Sequence, residues 1–460
     1  MRQLLAMMWL TWKAAFRFRL FIVIAVLLLT SVVALPVLIK DDGTARGFTQ
    51  ILLTYTLSVI AALLGLSTVW LACGTLARDI EECQMQVVAV KPIPRWKIWL
   101  GKWLGIVSLD AALLALSGAA VFALLQWRAT KLPEAERRIL RQEVLVARGS
   151  VKPPTYEREL EEETARQLRA VLERSPEARA NIEELRKQVR ESLKSEMQIV
   201  PPGHVRIWEI DLGAARHRAR GKPMHLRVKF NTAQYTARGT FTALWQVGQP
   251  ESPRFWRSEP MSLAPDTFHE FEIPPDLFDD NGVLTVVFLN FNDTTLLFPL
   301  EEGIEVLYAE GGFALNYARG LGIIFCWMAA LAALGLATAS FLSFPVAAFT
   351  SLALLTMALS TGTLSTVVSE GTIMGYDAEK GGPGRSPVDV VVVPVFRALL
   401  TVINLAKGFA PIDALSMGRS VSWAQLGRAF GQIVLVLGGG LALIGIAGFY
   451  RRELAAAQTQ

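Results

Sequence analysis

The sequence predicts an α-helical membrane protein with six transmembrane helices and an α+β insert outside the membrane, made of a helical hairpin and a β-sandwich of jelly-roll type. Three observations carry this. Apolar runs such as residues 51–76 and 103–127 are long enough to cross a bilayer. Between residues 128 and 316 such runs stop. Inside that stretch the spacing of apolar residues changes from near four to two after Pro201-Pro202-Gly203, the change from helices to strands.

Composition agrees: of 460 residues, 52% are hydrophobic and 19% charged, and the mean hydropathy is +0.36. A net charge of +5 is small for this length, and Lys and Arg beside spans serve topology first, so nucleic-acid binding is not expected. Cys73 and Cys326 lie in apolar runs and Cys83 in a polar loop, which argues against a disulfide framework. His204, His217, His225 and His269 have no metal-ligand spacing, so no metal is expected. Gly101-Lys102 lacks the upstream glycine of a phosphate loop and is followed by Trp103. The chain is therefore expected not to hydrolyse ATP, and to hold no cofactor of its own.

Taken in order, residues 1–19 interleave Arg2, Lys13, Arg17 and Arg19 with Trp9, Trp12, Phe16 and Phe18, the pattern of an amphipathic helix lying at the membrane interface. Residues 20–39 form the first span, read as an uncleaved anchor despite Ala34-Leu35-Pro36 near its end. Residues 51–76 and 103–127 are the second and third. The N-terminus has four Lys or Arg, residues 78–102 have five, and the outer loop 40–50 has only Lys40 and Arg46, which places the N-terminus in the cytoplasm. In the third span Asp110 is expected near the cytoplasmic end, solvated, while Ala111, Ala115 and Ala119 form a stripe for close helix approach.

The polar stretch between the second and third spans reads RDIEECQMQVVAVKPIPRWKIWLGKWLG, residues 78–105. As a helix it would put Ile80, Cys83, Val87 and Val90 on one face, with Arg78, Asp79, Glu81 and Glu82 in a first turn whose positive dipole end suits acids. Lys91-Pro92 would stop that helix and Pro94 permit a new start, with Arg95, Lys97 and Lys102 where the chain re-enters lipid. These residues, Arg78-Asp79, Glu81-Glu82, Lys91-Pro92, Pro94-Arg95-Trp96 and Leu100-Gly101-Lys102, resemble the first cytoplasmic loop of ABC transporter permeases of the type-2 exporter class. In that family the loop carries a coupling helix that sits on the nucleotide-binding subunit.

The insert opens with a highly charged helical part, residues 128–200, in which Ser175-Pro176 reads as a cap and Ile182, Leu185, Val189 and Leu193 form an apolar stripe. Residues 201–316 alternate. Strands are expected at 224–230, 240–247, 267–273, 283–291 and 304–308, with Asp280-Asn281-Gly282 a turn, which makes the sandwich. Trp208, Tyr235, Trp245, Phe255 and Trp256 are candidates for stacking on a glycan, though at least half of them are expected to fill the core, and Asn292-Asp293-Thr294 matches a glycosylation sequon.

Residues 320–342 return as the fourth span, with Ala329, Ala333 and Ala337 as a second small stripe, and residues 346–368 go out again as the fifth. Residues 388–409 are apolar, but Pro394, Arg397, Asn404 and Lys407 argue for a re-entrant or surface helix. Residues 430–450 make the sixth span, closed by Arg451-Arg452 in the cytoplasm. Here too the chain is similar to the permease family, in Phe409-Ala410-Pro411-Ile412-Asp413, Val421-Ser422-Trp423 and the closing Phe449-Tyr450-Arg451-Arg452-Glu453-Leu454. The likeness covers residues 1–127 and 317–454; the insert departs from it.

The resemblance implies a half-transporter in the plasma (inner) membrane, both termini cytoplasmic and residues 128–316 outside. It would pair with a second copy or a similar permease and with separate ABC ATPase subunits, which carry ATP and Mg. The expected ATPase-coupling residues are Glu81 and Glu82 for charged contacts and Val87 and Val90 for an apolar groove, with Ile80, Cys83, Lys91, Pro92 and Arg95 completing the surface. Sparse polar lining in the spans favours a hydrophobic or amphiphilic cargo such as a lipid-linked molecule. The competing expectations are a membrane-anchored sensor or scaffold whose sandwich binds envelope glycan or protein, and ATP-driven mechanical work on an outer partner without substrate passage.

Overall fold

A computed structural model describes the chain apart from residues 1, 18–19, 39–43, 86–92, 155, 175–181, 233–238, 250–253, 375, 378–381, 384–385, 407 and 453–460. It divides into a helical unit, Met1–Leu145 with Gly312–Gln460, and a second unit, Val146–Gly311.

The helical unit contains α1 (Arg2–Arg17), α2 (Leu20–Leu38), α3 (Ala45–Glu81), α4 (Arg95–Lys131) and α5 (Glu134–Glu143), and, after the insert, α8 (Phe313–Ala339), α9 (Phe344–Leu359), α10 (Thr361–Glu370), α11 (Asp389–Ala406), α12 (Pro411–Ser416) and α13 (Trp423–Arg451). Among the described residues α3, α4, α8 and α13 are each long and apolar enough to cross a membrane. Two bent pairs, α1 with α2 at 66° and α9 with α10 at 69°, bring the number to six if each pair is one span. The chain is thus a multi-pass membrane-embedded protein. Residues 346–368, read as one straight span, instead break at Ser360, whose N–H turns back to the Thr356 and Met357 carbonyls.

Helix α8 is the axis of the unit. Its stripe Ala329, Ala333 and Ala337 is buried, and Gly335 sits so close to α3 that a Cβ there would lie 2.7 Å from the Ala72 Cβ. On α4, Ala115 and Ala119 are exposed within this chain, and the close approach to α8 is made by Gly118 against Leu321. Helix α1 runs beside the start of α4, where Gly101 and Gly105 admit Met7 and Thr11 and the Trp12 indole donates to the Ser108 Oγ at 2.7 Å. Helix α13 passes through a π-helical segment, Phe430–Gly438, before its last turns.

The second unit holds β1 (Val146–Val151), α6 (Glu157–Arg174), α7 (Ile182–Gln198), and strands β2 (Ile199–Val200), β3 (Val205–Asp211), β4 (Met224–Val228), β5 (Asn231–Thr232), β6 (Phe241–Gly248), β7 (Phe255–Arg257), β8 (Met261–Leu263), β9 (His269–Ile273), β10 (Val283–Asn290), β11 (Leu296–Leu297) and β12 (Ile304–Gly312). One sheet has the order β1-β12-β4-β9; a second has β3-β10-β6-β7, with β8 also on β6; β2-β11-β5 form a third. Strand β10 pairs antiparallel with β3, with Val286 opposite Trp208, and β12 antiparallel with β4, with Val306 opposite Leu226. All three feed one core in which Trp208, Trp245, Phe288, Leu226 and Val306 are packed.

One expectation is corrected here and another is narrowed. The helical part and the sandwich do not divide at residue 200, because β1 precedes the α6–α7 hairpin and pairs with β12, making the hairpin an insertion within the β fold. Trp208 and Trp245 cannot stack on a glycan, since they are 3% and 0% exposed in the core. Phe255 is exposed and Trp256 packs on Phe271, while Tyr235 and the Ser175-Pro176 cap lie outside the described residues.

Candidate functional site

Five helix ends meet where α3 stops, α4 starts, α8 stops, α9 starts and α13 stops. Arg78, Asp79 and Glu81 do not open a new helix there; they form the last turn of α3. The Glu82 N–H closes onto the Arg78 carbonyl at 2.8 Å, and Cys83 then takes a left-handed conformation at φ 58° that ends the helix. The reason for the misreading is symmetrical: acids suit a helix N-terminus, yet here they stand at the negative end of the α3 dipole and need partners from elsewhere.

They find them. Asp79 accepts from the buried Lys102 ammonium at 2.5 Å, and the same ammonium donates to the Thr75 carbonyl at 2.6 Å. The Glu81 carboxylate accepts the Phe344 N–H at 2.8 Å, so it caps the first turn of α9, where a negative charge is favoured. Arg78 stacks its guanidinium 4.2 Å from the Phe344 ring centre, and Trp70 meets that ring edge-on at 5.0 Å.

Arg95, the first residue of α4, donates through Nη1 to the carbonyls of Phe449, Tyr450 and Arg452 at 2.7, 2.8 and 2.9 Å, a cation on the C-terminal turn of α13. Arg452 in turn donates to the Ala339 and Leu342 carbonyls at 2.8 and 3.1 Å, closing the end of α8. Burial holds its guanidinium below the ordinary arginine value, and the Glu81 charge works in the opposite direction.

The intervening loop is seated on the helices by its apolar side chains: Met85 is buried, and Ile80 and Ile93 pack on the same core. Ile80 therefore faces inward rather than towards a partner. Glu82 and Cys83 are exposed, and Glu82 accepts from Gln84 at 2.7 Å. Val87, Val90, Lys91 and Pro92 lie outside the described residues. Lys102 and Arg452 were seen in the sequence only as topological charges; nothing local reveals their partners. The Gly101-x-x-x-Gly105 spacing that seats α1 is the local signal for that contact.

Asp110 differs from expectation. It lies about 22 Å along α4 from Arg95 and is 3% exposed, so it is not solvated, and its Oδ2 has no hydrogen-bond partner among the described residues. A second polar contact joins three helices inside the bundle: Thr338 and Ser351 place their hydroxyls 2.7 Å apart, and the Cys73 Sγ lies 3.6 Å from Ser351. Among the described residues no three His, Cys, Asp or Glu side chains gather to hold a metal. The chain matches no protein-family model, no curated protein and no solved structure.

Proposed function

We propose that this chain is the membrane subunit of an ATP-driven exporter of the type-2 permease class, pairing with a second copy or a similar permease and receiving a separate ABC ATPase on the loop 82–94. The observation that carries the reading is that this loop is clamped at both ends to helices other than its own. Glu81 holds the start of α9 and Arg95 holds the end of α13, so a push on the loop moves four helices together. The neighbouring cations Arg78, Lys97, Arg451 and Arg452 favour the cytoplasmic side for this end. Glu82 and Cys83 are the exposed residues with which an ATPase would make contact. ATP and Mg belong to that partner.

In this reading each bent pair, α1–α2 and α9–α10, is one of six spans, α11 is a re-entrant or surface helix, and the second unit lies outside the cytoplasm. The sheet orders β1-β12-β4-β9 and β3-β10-β6-β7, with β8 also on β6, interleave strands between two sheets as a jelly roll does, which supports that name for the sandwich. The hydrophobic character of the spans supports an amphiphilic cargo such as a lipid-linked molecule.

The test is affinity purification of the tagged protein from its native membrane in mild detergent, assayed for a co-purifying ATPase. A stoichiometric ATPase, lost on changing Glu82 and Val87, is the expected result. Well-folded protein without an ATPase overturns it. One feature favours a second reading, mechanical work on, or sensing of, an outer partner: Val205 and Ile207 are exposed on the outer face of the β3-β10-β6 sheet, in register with Leu289 and Val287.

A further inference from the structure

A groove of about 540 Å³ runs between α3 and α9. Its walls are apolar, with Leu66 and Trp70 on one side and Phe344, Ala348, Phe349 and Leu352 on the other. At its mouth the exposed Arg78 guanidinium lies flat on the Phe344 ring, 4.2 Å from the centre. The other charges nearby are committed: Asp79 to Lys102, Glu81 to the start of α9 and Arg95 to the end of α13. No ion pair of the described residues engages Arg78.

We propose that this groove is a phospholipid site, with one acyl chain between α3 and α9 and the phosphate on Arg78. The polarity of the groove matches that molecule. One cation stands at one end, and hydrocarbon surface follows from Phe344 to Leu352, about 12 Å of helix. A phosphate also supplies the counter-charge that no ion pair of the described residues gives Arg78, which an apolar helix face of a second copy would not. Depth agrees as well, because the groove starts level with the charged ends of α3 and α4, where phosphate groups lie, and runs towards the apolar middle of both helices. Guanidinium binds phosphate through charge-assisted hydrogen bonds, and stacking the face of Arg78 on Phe344 leaves its N–H edge for such bonds, with no ion pair to a described residue. The site does not depend on the exporter reading.

The probe is phosphatidylglycerol carrying a diazirine on one acyl chain, diluted in phosphatidylcholine vesicles containing the full-length protein. After irradiation, labelled positions are read by peptide mass spectrometry, with the exposed residues Leu435 and Leu443 of α13 as the measure of bulk lipid contact. Labelling concentrated on residues 66–70 and 344–352 is expected. Arg78→Gln should lower it about tenfold, the loss of a charge-assisted phosphate contact, while Arg78→Lys retains most of it. Ala348→Trp, which fills the groove, should abolish it without changing the labels on α13. Groove labelling no higher than at Leu435 and Leu443, or labelling indifferent to both Arg78→Gln and Ala348→Trp, overturns the proposal. So does rapid Phe349→Cys disulfide formation between two copies in the same vesicles without groove labelling, which would assign the face to a dimer.

Discussion

The Arg95 guanidinium donates to the Phe449 carbonyl at 2.7 Å, across most of the length of the chain. The first residue of α4 thereby holds the last turn of α13, and Arg452, one residue beyond that turn, holds the end of α8. Removing one cation should loosen helices it does not belong to. Arg95→Gln leaves three carbonyls without their charged donor, and a stability loss of about 2 kcal/mol is expected from lost hydrogen bonds to a charged group. Thermal unfolding in detergent gives the magnitude. Hydrogen exchange should then be faster in the last turns of α13, and an effect confined to α4 would exclude the clamp.

Gly101 sets the distance between α1 and α4. A Cβ there would lie 2.4 Å from the Met7 Cβ, closer than any packing allows. Gly101→Leu should displace α1 at a cost of about 1–3 kcal/mol, the range for overpacking a tight contact. Faster hydrogen exchange over Arg2–Arg17 with α3 unchanged is the expected pattern, and unchanged exchange would mean that α1 seats elsewhere.

Asp110 costs stability where it stands, since it is buried among the helices, with the Thr68 hydroxyl beside it and no hydrogen bond to its Oδ2 among the described residues. Replacement by Leu should therefore leave stability equal or raise it, by up to about 3 kcal/mol on the scale of burying an acid in a membrane helix. A lower unfolding temperature for Asp110→Leu would show that the carboxyl is held by a partner within the bundle, Thr68 being the neighbouring hydroxyl.

Asp389 accepts the Ser386 N–H at 2.7 Å and the Ile373 N–H at 3.0 Å, which holds its carboxyl below the ordinary value of 3.8. A depressed folded value means that its contribution is complete above the unfolded pKa and is lost as pH falls through the folded one. The contacts joining the end of α10 to the start of α11 should hold at neutral pH and loosen only in acid below the ordinary carboxylate range. In Asp389→Asn the loosening should be present at every pH, as judged by Ile373 and Ser386 amide exchange corrected for its intrinsic pH dependence. An acid transition that survives in the variant would belong to another group.

Much of the architecture was legible because its signals are local. Hydropathy over about twenty residues marks a span wherever it occurs, and alternation marks β4, β6, β9, β10 and β12 without reference to their partners. Strand β1 escaped because VARGSV has no alternation, and its strand status depends on β12, far along the chain. The acids of residues 78–82 were placed at the wrong end of a helix because composition cannot tell a supported C-terminus from an N-terminus.

By itself the sequence determined that this is a multi-pass membrane protein with a β-rich insert, where its long helices run, and that a charged loop joins α3 to α4. Only the tertiary structure decided that Glu81 caps α9, that Arg95 caps α13, and that Trp208 and Trp245 are core rather than surface. The physical reason is range. Burial from lipid or water and the periodicity of a helix or strand are properties of neighbouring residues. The partner of a helix-end carbonyl or of a lone carboxylate is chosen by which distant chain ends the packing brings within about 3 Å.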